Sequence, residues 1–261
     1  MSASKKKKKD YVRPQSILGM EAPVCPGCQY GVVNRLIGEV IDDLGIQGNT
    51  VFVAGVGCHG LAQLLVNTDT ILALHGRAAA TAGGLKWALG NDSVVFTIQG
   101  DGDLAAIGIG DTIRSINRGE QLTTIFCNNA GYGTTGGQMA PTSLLGQVTA
   151  TTPLGRDPQK TGLPFHVAEF VATLPGVVYS ARHSLTSFAN YKKAKKAVQT
   201  AFQKQIDGVG YGFVEILVVT PTCWKMYPLE GLQWVKEQMM VEYPLGEFKN
   251  IDKITTGHRL G

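Results

Sequence analysis

Ser93-Val-Val-Phe-Thr-Ile98, closed by Gly100-Asp101-Gly102-Asp103, and Leu122-Thr-Thr-Ile-Phe-Cys127, closed by Asn128-Asn129, are the stretches from which the fold is read. Each is a short apolar run rich in β-branched and aromatic residues, as expected of a strand buried on both faces. Between them, Leu104 to Asn117 has room for one helix. Strand, glycine loop, helix and strand make a βαβ unit. The order recurs upstream, where Val51-Phe-Val-Ala-Gly-Val56 runs into Gly57-Cys58-His59-Gly60 and a helix-like stretch from Leu61. It recurs again in Thr70-Ile-Leu-Ala-Leu74, followed by His75-Gly76-Arg77 and the alanine-rich segment Ala78 to Leu89. Downstream lie Gly176-Val-Val-Tyr179, a helical stretch from Ser187 to Lys204, and the run Tyr211 to Val219. The expected fold class is α/β, a mostly parallel sheet with helices on both faces. In such sheets, ligands collect outside the carboxyl ends of the strands, where loops distant in sequence meet.

With 261 residues the chain can bury one substantial core. Residues 1–15 read as a disordered basic tail, 16–235 as the α/β domain and 236–261 as a C-terminal arm. The formal charge of +4 is smaller than the run Lys5 to Lys9 alone, so no nucleic-acid-binding stripe is implied. No apolar stretch reaches membrane-spanning length and the N-terminus lacks a secretory core, which predicts a cytoplasmic protein. The 33 glycines cluster after the strand-like runs, as loops that approach a ligand closely require. Gly131 to about Phe165 is a long stretch of little periodicity, and so long a loop in a compact domain is usually functional.

Gly100-Asp101-Gly102-Asp103 follows a strand and opens a helix, whose free N–H groups and dipole suit a diphosphate. Asn128-Asn129 ends what should be the neighbouring strand, so the two loops are expected to face each other. Asp101, Asn129 and the Gly131 carbonyl then supply a set of hard oxygen ligands for Mg²⁺. Alone, Gly-Asp-Gly also builds ordinary turns; the pairing with Asn-Asn makes it informative.

Five cysteines in a chain without an export signal argue for metal or redox duty rather than disulfides. Cys25-Pro-Gly-Cys28 is compatible with a redox dithiol, zinc or an iron–sulfur cluster. Cys58 and Cys223 follow two different strands and can join it, and four thiolates suit [4Fe–4S] or structural zinc. Cys127 lies inside an apolar run and reads as a small buried hydrophobe.

Gly100-Asp101-Gly102 with Asn128-Asn129 resembles the thiamine diphosphate signature. Asn129-Ala-Gly-Tyr-Gly-Thr-Thr-Gly-Gly-Gln138 is similar to the segment that follows it in the 2-oxoacid:ferredoxin oxidoreductases. The resemblance spans Cys25 to about Trp224. It implies a beta subunit holding thiamine diphosphate through Mg²⁺ on Asp101, Asn129 and the Gly131 carbonyl. Gly102, Asp103 and Thr134 would approach the diphosphate, with further cofactor contacts from Gly57, Cys58 and Gly100, and from Tyr132 and Gly133. His75 and Arg77 match a segment beside the cofactor and are the candidate catalytic residues. Cys25, Cys28, Cys58 and Cys223 resemble the ligands of a [4Fe–4S] cluster.

The implied reaction is oxidative decarboxylation of a 2-oxoacid with coenzyme A, giving acyl-CoA, CO₂ and reduced ferredoxin. A branched-chain substrate such as 2-oxoisovalerate is expected, with 2-oxoglutarate or pyruvate as alternatives. The implied partners are an alpha subunit supplying the aminopyrimidine side of the site, a gamma subunit and a ferredoxin-like delta subunit. Two other classes stay open on the residues alone: a non-oxidative thiamine-dependent decarboxylase or synthase, and a zinc or electron-carrier module.

Overall fold

The computed structural model describes residues 12–254; the Lys5 to Lys9 run and the last residues of the expected arm lie outside them. Seven strands form one sheet in the order β2-β1-β3-β4-β6-β5-β7. They are β1 (Thr50–Ala54), β2 (Asp69–Leu72), β3 (Val94–Gly100), β4 (Thr123–Asn128), β5 (Val177–Ser184), β6 (Tyr211–Leu217) and β7 (Gly246–Asn250). All pairings from β2 to β5 are parallel and β7 joins β5 antiparallel, so the α/β class with a mostly parallel sheet is what forms.

Every residue of β1, β3, β4 and β6 is buried, which explains their largely apolar runs. On one face α1 (Tyr30–Leu44) and a long helix between β5 and β6 cover Phe52, Phe96, Ile125 and Val214. On the other face α2 (Ala78–Leu89) and α3 (Ile109–Asn117) cover Val53, Val95 and Phe126. The next helices are α4 (Pro158–Thr161), α5 (Val167–Ala172) and α6 (Phe188–Ile206). Helix α6 starts where Ser187 Oγ accepts from the Asn190 N–H, and α1 stops where Gly45 turns left-handed at φ 66°. α7 (Pro221–Trp224), α8 (Pro228–Trp234) and α9 (Met240–Glu242) follow β6 and bury a third, smaller cluster with Ala130 and Val219.

Two elements differ from the sequence reading. The helix expected from Leu61 is a 3₁₀ segment, Cys58–Leu64, entered through Gly57 at φ 145°, where a side chain would also meet the His59 ring. The stretch set apart as an arm contributes β7, whose Glu247 carboxylate accepts from Tyr179 Oη at 2.7 Å. Its short strand has only five residues and follows a proline, so it gives little periodic signal.

Candidate cofactor site

The register Gly100↔Cys127 brings the end of β3 level with that of β4, so Asp101 and Asn129 stand side by side. Asp101 opens a π-helical turn, Asp101–Ile107, that leads into α3. The Asn129 backbone N–H donates to Asp101 Oδ2 at 3.1 Å and the Thr142 hydroxyl donates to Oδ1. Burial pushes the Asp101 carboxyl up to about 7, against the lowering effect of those two hydrogen bonds. Asn129 Nδ2 donates to Thr220 Oγ1 at 2.9 Å, which turns its amide oxygen toward Gly131 O, also at 2.9 Å, and toward an Asp101 carboxylate oxygen. Three oxygens facing one another are reconciled either by half a turn of the amide or by a cation among them.

The loops around this point enclose a cavity of about 580 Å³. Cys25, Cys28, Cys58 and Cys223 all line it, together with Asp101, Asn129 and Gly131. Gln29 ties the Cys25–Cys28 turn to the far strands: its backbone N–H donates to Val219 O at 2.9 Å, its Oε1 accepts from Val219 N at 3.0 Å and its Nε2 donates to Leu185 O at 3.0 Å. A Cβ on Gly131 would touch Cys223 Sγ at 3.4 Å and one on Gly133 would lie 3.7 Å from Cys58 Sγ. The oxygen cluster and the thiols are therefore neighbours. Burial raises the Cys28 and Cys223 thiols to about 11, and nearby cysteines push both the same way. That cost falls on a bare thiolate and is offset when iron or zinc shares its charge. Among the described residues no three His, Cys, Asp or Glu side chains are gathered as a ready metal-binding group. Cys127 is fully buried in β4.

Residues 55–216 match the family described as "Thiamine pyrophosphate enzyme, C-terminal TPP binding domain". The chain belongs to this family. Among curated relatives, the ketoisovalerate oxidoreductase subunit VorA of Methanothermobacter thermautotrophicus is 42% identical over 87% of this chain and 47% of its own length. The 2-oxoglutarate synthase subunit KorB of Archaeoglobus fulgidus is 34% identical over 82% of this chain and 75% of its own. The chain thus spans about half the length of VorA and three quarters of KorB. A solved 2-oxoglutarate:ferredoxin oxidoreductase from Magnetococcus marinus shares the fold, with a TM-score of 0.76 at 22% identity, covering 94% of this chain and 87% of that one.

Within this thiamine pyrophosphate-binding fold, the residues singled out in the sequence divide into three groups. Gly57, Gly100, Gly102, Tyr132, Gly133 and His75 line the cavity. The Gly102 backbone is flanked by the Tyr132 ring, 3.2 Å from where a Cβ would stand, so a ligand can approach it closely. Asp103 lines the cavity wall, but its carboxylate has no exposed surface and is fully engaged by the protein. It accepts from Val56 N (3.1 Å), Gly76 N (2.8 Å) and Gln99 Nε2 (2.8 Å), and pairs with His75 Nδ1 (2.8 Å). Its carboxylate thereby braces three loops. Thr134 is turned to Cys58, with Oγ1 and Sγ 3.0 Å apart.

Arg77 is outside the cavity. It sits at the start of α2 and its guanidinium donates to Asp111 of α3 at 2.7 Å, half exposed. His59, which the sequence reading passed over, is buried and accepts from Gly100 N through Nε2 at 3.2 Å. Burial lowers it to about 4, which keeps it neutral and able to accept. Its position one residue after Cys58 gives no hint of that contact. Among the described residues no helix is long and apolar enough to cross a membrane.

Proposed function

We propose that the chain is the beta subunit of a 2-oxoacid:ferredoxin oxidoreductase and binds thiamine diphosphate through Mg²⁺ together with one [4Fe–4S] cluster. Its reaction is the oxidative decarboxylation of a branched-chain 2-oxoacid, 2-oxoisovalerate first, with coenzyme A to acyl-CoA and CO₂. The electrons go to ferredoxin. The reading is supported above all by one juxtaposition: the side chains of Asp101 and Asn129 and the Gly131 carbonyl converge beside two separate loops, one carrying Cys58 and the other Cys223.

Asp101, Asn129 and the Gly131 carbonyl would hold the Mg²⁺, whose remaining positions go to phosphate oxygens and water. The opening turn at Asp101-Gly102 offers backbone N–H groups without intrahelical partners to the diphosphate. Thiamine diphosphate, when bound, supplies the carbanion chemistry of decarboxylation. His75 keeps Nδ1 on Asp103 and so presents Nε2 as a fixed polar contact on the cavity side. Cys25, Cys28, Cys58 and Cys223 would ligate the cluster. A single zinc ion draws its sulfurs almost into contact, whereas the four cysteines line a broad cavity, which favours the larger cluster.

VorA is named for ketoisovalerate and is the more similar of the two relatives, which supports the branched-chain substrate; KorB supports 2-oxoglutarate as the second choice. The alpha subunit would cover the exposed side chains of Leu74 and Ile107, whose loops border the cavity, and gamma and delta subunits would complete the enzyme.

The test is the co-purified complex assayed anaerobically on a panel of 2-oxoacids with coenzyme A and a low-potential acceptor. The expected result is a brown protein that reduces the acceptor fastest with 2-oxoisovalerate, and that loses iron from this subunit when Cys223 becomes Ser. Full decarboxylase activity from a colourless, iron-free subunit would overturn the reading.

A further inference from the structure

Two charges stand where the centre of the sheet should be apolar. Arg182 of β5 and Glu215 of β6 are paired in the strand register, both side chains are fully buried, and Arg182 Nε lies 2.9 Å from Glu215 Oε2. The guanidinium also donates to Glu169 Oε1 at 2.7 Å and lies over the rings of Tyr243 and Phe248, 5.1 Å from each centre. A buried pair of this kind is seldom better for stability than apolar side chains of the same size, so its presence calls for another reason.

That reason is visible at the second oxygen of Glu215. Oε1 accepts from Asn128 Nδ2 at 2.8 Å, and Asn128 Oδ1 accepts from the backbone N–H of Ala130 at 3.0 Å. Ala130 has a φ of 52°, the left-handed conformation that residues with a Cβ avoid. Its carbonyl is held as well, by Ser143 Oγ at 2.7 Å and Gln147 Nε2 at 2.8 Å. Ala130 stands between Asn129 and Gly131. Its unusual conformation is therefore part of what brings the Asn129 side-chain amide and the Gly131 carbonyl together opposite Asp101.

We propose that Glu215 is a positioning residue for the cation-binding turn Asn129-Ala130-Gly131 and acts through Asn128. This rests on the reading of Asp101, Asn129 and Gly131 as the Mg²⁺ ligands. Glu215 touches neither cation nor cofactor. It fixes the Asn128 amide so that its oxygen faces Ala130 N, and the turn is set before any ligand arrives.

Two double variants of the complete enzyme separate this role from a structural one. Arg182→Met with Glu215→Leu removes the ion pair and leaves Asn128 Nδ2 with no acceptor. Arg182→Met with Glu215→Gln removes the same pair but keeps an oxygen for Asn128. The readouts are Mn²⁺ binding by electron paramagnetic resonance in the presence of thiamine diphosphate, and the Mg²⁺ concentration that half-saturates cofactor binding. Both double variants are expected to unfold at similar temperatures. The Leu form should need at least about tenfold more cation, as loss of a ligand-orienting contact typically does, while the Gln form stays close to wild type. Equal cation affinity in the two double variants, whether strong or weak, overturns the proposal while leaving the Mg²⁺ reading intact. Cofactor binding by wild type that is indifferent to divalent cations overturns both.

Discussion

Asp103 shows how little a residue's place on the chain says about the atoms its side chain will meet. It stands in the Gly-Asp-Gly-Asp run, and its neighbourhood on the chain points to the diphosphate. Its partners lie elsewhere: Val56 after β1, Gly76 and His75 after β2, and Gln99 at the end of β3. Asp103→Ala leaves the buried Gly76 N–H and the buried Gln99 amide without an acceptor, each worth roughly 1–3 kcal/mol, along with the part-buried Val56 N–H. The expected loss is about 3 kcal/mol, read from urea unfolding, whereas Asp103→Asn, which keeps the acceptor oxygen, should stay within about 1 kcal/mol of wild type. Equal losses for both substitutions would mean that charge, not the acceptor position, matters. The motif residues Asp101, Asn129 and Gly131 were legible because their chemistry is local to two strand ends. Arg182, Glu215 and His59 were not, since nothing in an apolar strand or a glycine loop announces which distant atom a polar side chain will meet.

Strands and their following loops were legible because both faces of the sheet are covered, which makes the strand runs predominantly apolar and short. The long loop after β4 was visible as a loop, but its order comes from Arg156. That buried guanidinium donates to the carbonyls of Pro141, Ser143 and Leu163, among others, and so sets Thr142 against Asp101. Helix α5 is tied to β5 through Glu169 and Arg182. Burial alone would push the Glu169 carboxyl up, but the Arg182 hydrogen bonds and charge outweigh it and hold the group below its ordinary value. A carboxyl so lowered binds its proton more weakly in the folded state than in the unfolded one. Its contribution is complete above the ordinary carboxylate range and is lost as pH falls through the folded-state value. The stability difference between wild type and Glu169→Gln, measured by denaturant unfolding, should therefore be largest near pH 7 and shrink toward pH 3. A difference independent of pH would show that the pair with Arg182 contributes packing only.

At the scale of the molecule, two cores flank the sheet while the site gathers loops at the strand ends: the turn before α1 and the loops after β1, β2, β3, β4 and β6. A ligand that bridges those loops binds the folded chain and finds no counterpart in the unfolded one. Mg²⁺ and thiamine diphosphate at about a hundred times their dissociation constant should then add about 2.7 kcal/mol to stability. For a chain of this length that is a rise of roughly 5–10 °C in the unfolding midpoint. Adding EDTA should remove the rise, because the diphosphate alone then faces the Asp101 and Gly131 oxygens without a cation between them. The same experiment separates binding from turnover. If the catalytic cavity is completed by an alpha subunit over the Leu74 and Ile107 rim, the isolated chain gains the thermal shift yet decarboxylates no 2-oxoacid until that partner is added. Turnover by the isolated chain would place the whole reaction within these loops and exclude a shared site.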